Sequence, residues 1–259
     1  MAIRTYCRAR CSGMPLVFST LIASALALSA SIANAAVVVD GTRVVYPSNR
    51  REVSVNLHNV GTMPALVEVW IDAGNDRSKP DDASAPIVAT PPLFRMNATQ
   101  GQTLRLIYTQ APLPSDRETV FWLNVLDIPP RAQADPNAPN HLEMAFRHRL
   151  KIFFRPVALR GDPADAAKAV TWSIANGADG PALVAHNPTP YYVSFISADV
   201  AAGAIHDEAH TEMVAPLSTS RFALSRKDLA GAGPAAIHYS FVNDFGAVTT
   251  GESTAAVTP

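Results

Sequence analysis

Apolar and polar residues alternate with a period of two along most of this chain. Val53, Val55 and Leu57 alternate with Ser54, Asn56 and His58, as expected of a strand with one face buried. β-rich segments of this kind span 37–47, 51–61, 64–74, 86–96, 101–110, 118–130 and 142–156. Turn-forming clusters such as "YPSNR" and "NATQGQ" separate them. Short strands at this spacing predict an immunoglobulin-like sandwich, with Trp70 as its core aromatic. Beyond Pro156 the texture changes. The polar, alanine-rich stretch 158–170 suits a linker with a short helix, and "SRKDLAG" (225–231) suits a second one. Further short strands follow to the C-terminus. The pattern therefore predicts an all-β protein of two sandwiches, 36–156 and 157–259, with no residue-level repeat between them.

The first residues are expected to lie outside that fold. Arg4, Arg8 and Arg10 precede an apolar run over 15–33, and small residues close it at Ala33 and Ala35. That is the pattern of a secretory signal peptide cut after Ala35, with export to the periplasm. No later run is long and apolar enough to span a bilayer, so no membrane insertion is expected. Both cysteines, Cys7 and Cys11, fall in the leader. The mature chain then has no disulfide, zinc–thiolate site or cysteine nucleophile. The leader takes three of the 21 basic residues and leaves 18 against 22 acidic ones. This balance argues against nucleic acid, and the absence of like-charge runs argues against a membrane-surface patch.

Catalytic and metal patterns are weak. "HDEAH" sets His206 and His210 four apart, but Asp207 stands where a zinc protease has its glutamate. A solvated turn is the better reading. His186, beside Asn187-Pro188, reads as a loop or strand-end residue. Asp81 and Asp82 lie in the polar stretch "NDRSKPDDASAP". The sequence contains no nucleophile elbow, phosphate loop or dinucleotide fingerprint. No enzyme, metal or cofactor is nominated.

More specific is an ordered set of segments: "GTRVVYP" (41–47), "SDRETVFWLNVLDIPP" (115–130), "RHRLKIFFRP" (147–156), "HNPTPYYVSF" (186–195) and "VNDFGA" (242–247). Together they resemble the periplasmic pilus-assembly chaperones, the partners of outer-membrane ushers. The resemblance covers nearly all of 36–253. The short, cysteine-free loop 131–140 is similar to that of the family's short-looped branch.

The resemblance implies a chaperone that lends its last first-domain strand to a pilus subunit lacking one, and then delivers the subunit to an usher. Strand addition of this kind is the established mode of chaperone–pilin complexes. Leu142, Met144 and Phe146 correspond to the alternating apolar residues that enter the subunit groove. Alternate residues lie about 6.6–7 Å apart, so three of them span about 13–14 Å. Glu143 and Arg147 on the other face would blunt an aggregation-prone edge. Arg43 and Lys151 correspond to two cations that bind the subunit's C-terminal carboxylate. Glu118, Arg155 and Asp244 correspond to an interdomain ionic network. Even-numbered Phe146 and odd-numbered Lys151 point to opposite faces of a regular strand. Either a bulge intervenes, or the groove-filling and cleft faces differ. An exposed donor strand also makes a self-capping dimer plausible. The alternative is an exported adhesin or carbohydrate-binding module, which would use Tyr191, Tyr192 or the Asp81–Asp82 loop.

Overall fold

The structure, a computed structural model, describes residues 36–82, 84–131, 143–177, 180–231 and 233–258. The leader read over 1–35 lies outside the described residues, as does Leu142. The first strands are β1 (Val37–Val39), β2 (Arg43–Pro47), β3 (Glu52–Asn59), β4 (Ala65–Asp72), β5 (Ile87–Thr90), β6 (Leu93–Met96), β7 (Gly101–Tyr108), β8 (Thr119–Ile128) and β9 (Phe146–Arg155). Two expected segments are each split in two. Segment 37–47 breaks at Gly41, which adopts φ +88°, a conformation open to glycine at little cost. Segment 86–96 breaks at Pro91 and Pro92, which have no N–H to give a ladder. Each break carries the chain from one layer to the other. One sheet runs β1-β3-β7-β5 and the other β2-β9-β8-β4-β6. The apolar faces of the two layers meet around Leu57, Leu104, Leu106, Val67, Leu123 and Ile152, all fully buried.

Trp70 is buried, but not in this core. Val67, Val69 and Ile71 turn inward from β4, so Trp70 must face outward. It is covered there by the Arg147 guanidinium, 4.9 Å from its ring centre, and its Nε1–H donates to Ser78 Oγ at 3.0 Å.

The second sandwich follows a 3-10 turn (Pro163–Asp165) that runs into the single-turn helix α1 (Ala166–Ala169). Its strands are β10 (Thr171–Gly177), β11 (Gly180–Asn187), β12 (Val193–Ala202), β13 (Ile205–His210), β14 (Met213–Val214), β15 (Ser218–Ala223), β16 (Ala235–Val242) and β17 (Val248–Thr258). A 3-10 turn at Lys227–Gly231 occupies the second site read as a short helix. β17 pairs antiparallel with β16 along 248–255 and then parallel with β10 along 255–258, which links the two layers. Trp172, Phe195 and Tyr239 form the aromatic centre, with Phe195 edge-on to both partners at 5.0 and 5.4 Å. A register shift between Phe195 and Ser197 moves the buried phase of β12 from Val193 and Phe195 to Ala198 and Val200.

The sandwiches do share a residue-level device that the sequence reading missed. Buried Asn59 donates from Nδ2 to the Met63 carbonyl at 2.9 Å and accepts from Gly61 N–H. Buried Asn187 donates likewise to the Tyr191 carbonyl at 2.7 Å and accepts from Thr189 N–H. Each asparagine follows a histidine at the end of a strand and satisfies the backbone of the turn beyond it.

Candidate functional site: a cationic cleft beside an open strand edge

β2 runs parallel to β9 in an otherwise antiparallel sheet, and the register sets Arg43 directly against Lys151. Neighbouring strands lie about 4.8 Å apart, so two cations share one spot at the mouth of the cleft between the sandwiches. Arg43 Nη1 donates to the Val242 carbonyl at 2.8 Å, its guanidinium lies 5.8 Å from the Phe153 ring centre, and its Nε is buried without a partner. Lys151 Nζ is 3.4 Å from Ser194 Oγ and 5.5 Å from the Trp122 ring centre. Among the described residues neither cation has a carboxylate within ion-pair distance. Burial lowers the Lys151 pKa, the Arg43 charge lowers it further, and distant Glu212 offsets only part of this. Arg43 is lowered as well, by burial, against a weaker pull from Asp244. The pair is therefore desolvated, mutually repelling and without a counter-ion. A cleft of about 270 Å³ opens beside it, lined by Arg43, Phe153 and Arg155 on one wall and Ser194, Phe241 and Asp244 on the other.

Arg155, the next cation along the same face of β9, is fully paired. Its Nε donates to Glu118 Oε1 at 2.5 Å, and its two terminal nitrogens form a fork on Asp244 at 2.6 and 3.0 Å. Glu118 also accepts from the Tyr192 N–H at 2.8 Å. The three side chains thus bridge the two sandwiches. Burial opposes the Arg155 charge, but Asp244 and Glu118 outweigh it and hold its pKa above the ordinary guanidinium range.

β9 pairs with β8 from Phe146 to Phe154 without a register shift. No bulge separates Phe146 from Lys151, so the two faces of the strand differ. Phe146, His148, Leu150, Ile152 and Phe154 take one side; Arg147, Arg149, Lys151, Phe153 and Arg155 take the other. The second edge of β9 meets β2 only over 151–155. Over 146–150 that edge has no strand partner among the described residues. Met144 is exposed just ahead of the strand and Phe146 is half-buried at its start.

Arg147 does more than blunt an edge. It stacks on Trp70 and donates to Asn124 Oδ1 at 2.6 Å and to the Asp76 carbonyl at 2.8 Å. Arg149 lies 4.2 Å from the Trp122 ring centre and donates to buried Asp72 at 2.7 Å. Asp72 also accepts from Asn124, Gly74 N–H and Ser78. Burial would raise the Asp72 pKa, but these donors hold it below the usual carboxylate range. The cation–tryptophan ladder under β9 was not foreseen. Its trace in the sequence is the i, i+2 run Arg147, Arg149, Lys151 beside tryptophans at 70 and 122.

Most of the remaining residues singled out in the sequence sit elsewhere. "HDEAH" is not a turn: it lies in strand β13, with His206 and His210 on the exposed face. No metal-binding cluster occurs among the described residues. His186 is the penultimate residue of β11 and meets Thr219 Oγ1 at 3.1 Å. Asp81 stands on a 3-10 turn, Pro80–Asp82. Tyr191 is buried beneath Arg155 with its hydroxyl on the Gly161 carbonyl, and Tyr192 packs on Phe153. Neither tyrosine is the free loop residue that a sugar-binding reading requires.

Comparison with known proteins bears on these features. Residues 36–160 match the pili and flagellar-assembly chaperone, PapD N-terminal domain, and residues 165–253 match the pili assembly chaperone PapD, C-terminal domain. The chain belongs to this chaperone family. It is similar to the probable fimbrial chaperone YadV of Escherichia coli (strain K12), 42% identical over 229 residues, which are 87% of this chain and 91% of that one. The chaperone protein FimB/FhaD of Bordetella pertussis (strain Tohama I) is 41% identical over 89% of this chain and 93% of its own. The crystal structure of YadV superposes with a TM-score of 0.71 over 85% of this chain and 99% of that one. The Salmonella enterica SafB chaperone, solved in complex with the SafA pilin, is 29% identical, with a TM-score of 0.68 over 87% of this chain and 98% of the matched one. This is a pilus-assembly chaperone and not an enzyme. Among its described residues no helix is long and apolar enough to cross a membrane.

Proposed function

We propose that this chaperone, acting in the periplasm, caps a pilus subunit by donating β9 and the residues just before it. Arg43 and Lys151 grip the subunit's C-terminal carboxylate, and the capped subunit is then handed to an outer-membrane usher. The observation that carries this reading is a cation pair that, among the described residues, has no counter-ion and lies at the foot of a strand edge with no partner there. A carboxylate entering there relieves the repulsion of two desolvated charges and fills their donor capacity. An extended segment leaving that anchor would run along the open edge of 146–150 and take up its free backbone groups. Phe146 and Met144, with Leu142 beyond them, would offer alternate apolar side chains to its groove. Arg155, Glu118 and Asp244 hold the sandwiches in the relation that keeps the cleft open.

The test is co-expression with a pilus subunit encoded beside this protein, followed by purification from the periplasm. A one-to-one complex is expected with the native chaperone. Arg43→Ala and Lys151→Ala should each lose it while remaining folded. Subunit capture by both variants at the native level would refute the anchor.

A further inference from the structure

β8 carries a buried carboxylate that plays no part in subunit capture. Asp127 is 2% exposed. Its Oδ2 accepts from two successive backbone nitrogens, Ala36 N and Val37 N, each at 3.0 Å. Its Oδ1 is buried with no hydrogen-bond partner. Among the described residues no cation lies within ion-pair distance of it. A lone buried carboxylate with one oxygen unmet is costly unless a positive charge reaches it.

The chain position that touches it is the one that the sequence marks for processing. Ala36 directly follows the small-residue site ending at Ala35. Its placement is tightly set: its carbonyl accepts from Val60 N–H at 2.8 Å, and Val37 is fully buried in the first core. Gly61 leaves room for it, since a Cβ there would stand 2.8 Å from Ala36 Cβ.

We infer that Asp127 is the receptor for the new N-terminus, so that signal-peptide removal completes the fold of the first sandwich. Hydrolysis breaks the bond between the Ala35 carbonyl carbon and the Ala36 nitrogen. The water oxygen stays on Ala35, which leaves as a carboxylate, and both water hydrogens go to the nitrogen, turning the Ala36 amide N–H into an –NH3⁺ ammonium. An amide offers one donor and no charge; an α-ammonium offers three donors and a full charge at neutral pH. It therefore supplies what Oδ1 lacks and neutralises the carboxylate. A cut two residues upstream would move the charge about 6–7 Å along the strand and leave Asp127 uncompensated. The unprocessed chain then holds this sandwich less firmly than the processed one. This inference rests on the leader reading and is independent of how the subunit is bound.

The experiment compares four full-length mature chains: beginning at Ala36 or carrying a Ser-Gly extension before it, each with Asp127 or with Asp127→Asn. With Asp127 the extension should lower Tm by about 5 °C or more, because one partner of a buried pair is lost. With Asp127→Asn it should lower Tm by no more than about 1–2 °C. In the native state the α-amine of the Asp127 chain should be acylated at least about tenfold more slowly than that of the Asn variant, a factor of ten being about 1.4 kcal/mol. Mass analysis of the exported protein should give a chain starting at Ala36. A different mature start, equal Tm losses in both backgrounds, or equal acylation rates would overturn the assignment.

Discussion

Lys151 shows how the proposed function would oppose stability at one residue. Its ammonium is desolvated and faces Arg43, with no counter-ion among the described residues. Because its folded pKa lies below the ordinary lysine value, the unfolded chain binds more protons between the two, and stability rises with pH across that window. Lys151→Met should therefore leave the free chaperone as stable as the native protein or raise its Tm by about 1–3 °C, while subunit capture is lost. A drop in Tm would show that the free site is not strained by charge. Subunit affinity should fall as pH rises through the lowered Lys151 pKa, earlier than for an ordinary lysine, and a binding titration against pH reads this directly. Asp72 behaves in the opposite sense. Its depressed folded pKa gives stability that is full above the unfolded value and lost as pH falls through the folded one. Asp72→Asn should flatten the acid limb of a Tm-against-pH curve, and an unchanged limb would remove Asp72 from that account.

At the scale of the element, β9 is held on one edge by β8 and from beneath by the Arg147 and Arg149 contacts, and its other edge is half free. Under the proposed strand donation, β9 must stay extended without a partner, and the ladder on Trp70 and Trp122 would supply that rigidity. Arg147→Met keeps much of the side chain's apolar cover of Trp70 but removes its bonds to Asn124 and Asp76. Amide exchange over 146–150 should then speed up by about tenfold, with exchange in β3 and β7 unchanged. Equal protection in native and variant chains would mean that β8 alone orders the segment. The alternation of β9 was legible in the sequence because side-chain period is a local property. The unbroken register was not, since a bulge depends on the partner strand. The splitting of 37–47 and 86–96 between layers was hidden for the same reason, although Gly41 and the Pro91-Pro92 pair mark the places.

In the whole molecule, Glu118, Arg155 and Asp244 tie together two separate cores, alongside the Arg43–Val242 and Phe153–Tyr192 contacts. Buried ion pairs add little net stability but cost much when half removed. Arg155→Met alone should lower stability by about 3–5 kcal/mol, chiefly by leaving buried Glu118 without its cation. The triple variant Glu118→Gln, Arg155→Met, Asp244→Asn should recover most of that loss in a denaturant titration. Its small-angle scattering should nevertheless report a wider spread of interdomain arrangements. A native-like scattering profile for the triple variant would assign the cleft's shape to other contacts.

Residue order alone determined the all-β class, the buried face of most strands and the lack of thiols beyond Cys11, because these follow from local periodicity and composition. It also carried the motif order by which the family was seen. Tertiary structure decided what depends on contacts across the chain: Arg43 against Lys151 through a parallel pairing, Trp70 outside the core, and Asp127 beneath the backbone of Ala36. Each of these is fixed by which strands become neighbours and in what register. Sheet pairing is set by the packing of whole layers, which no single segment encodes.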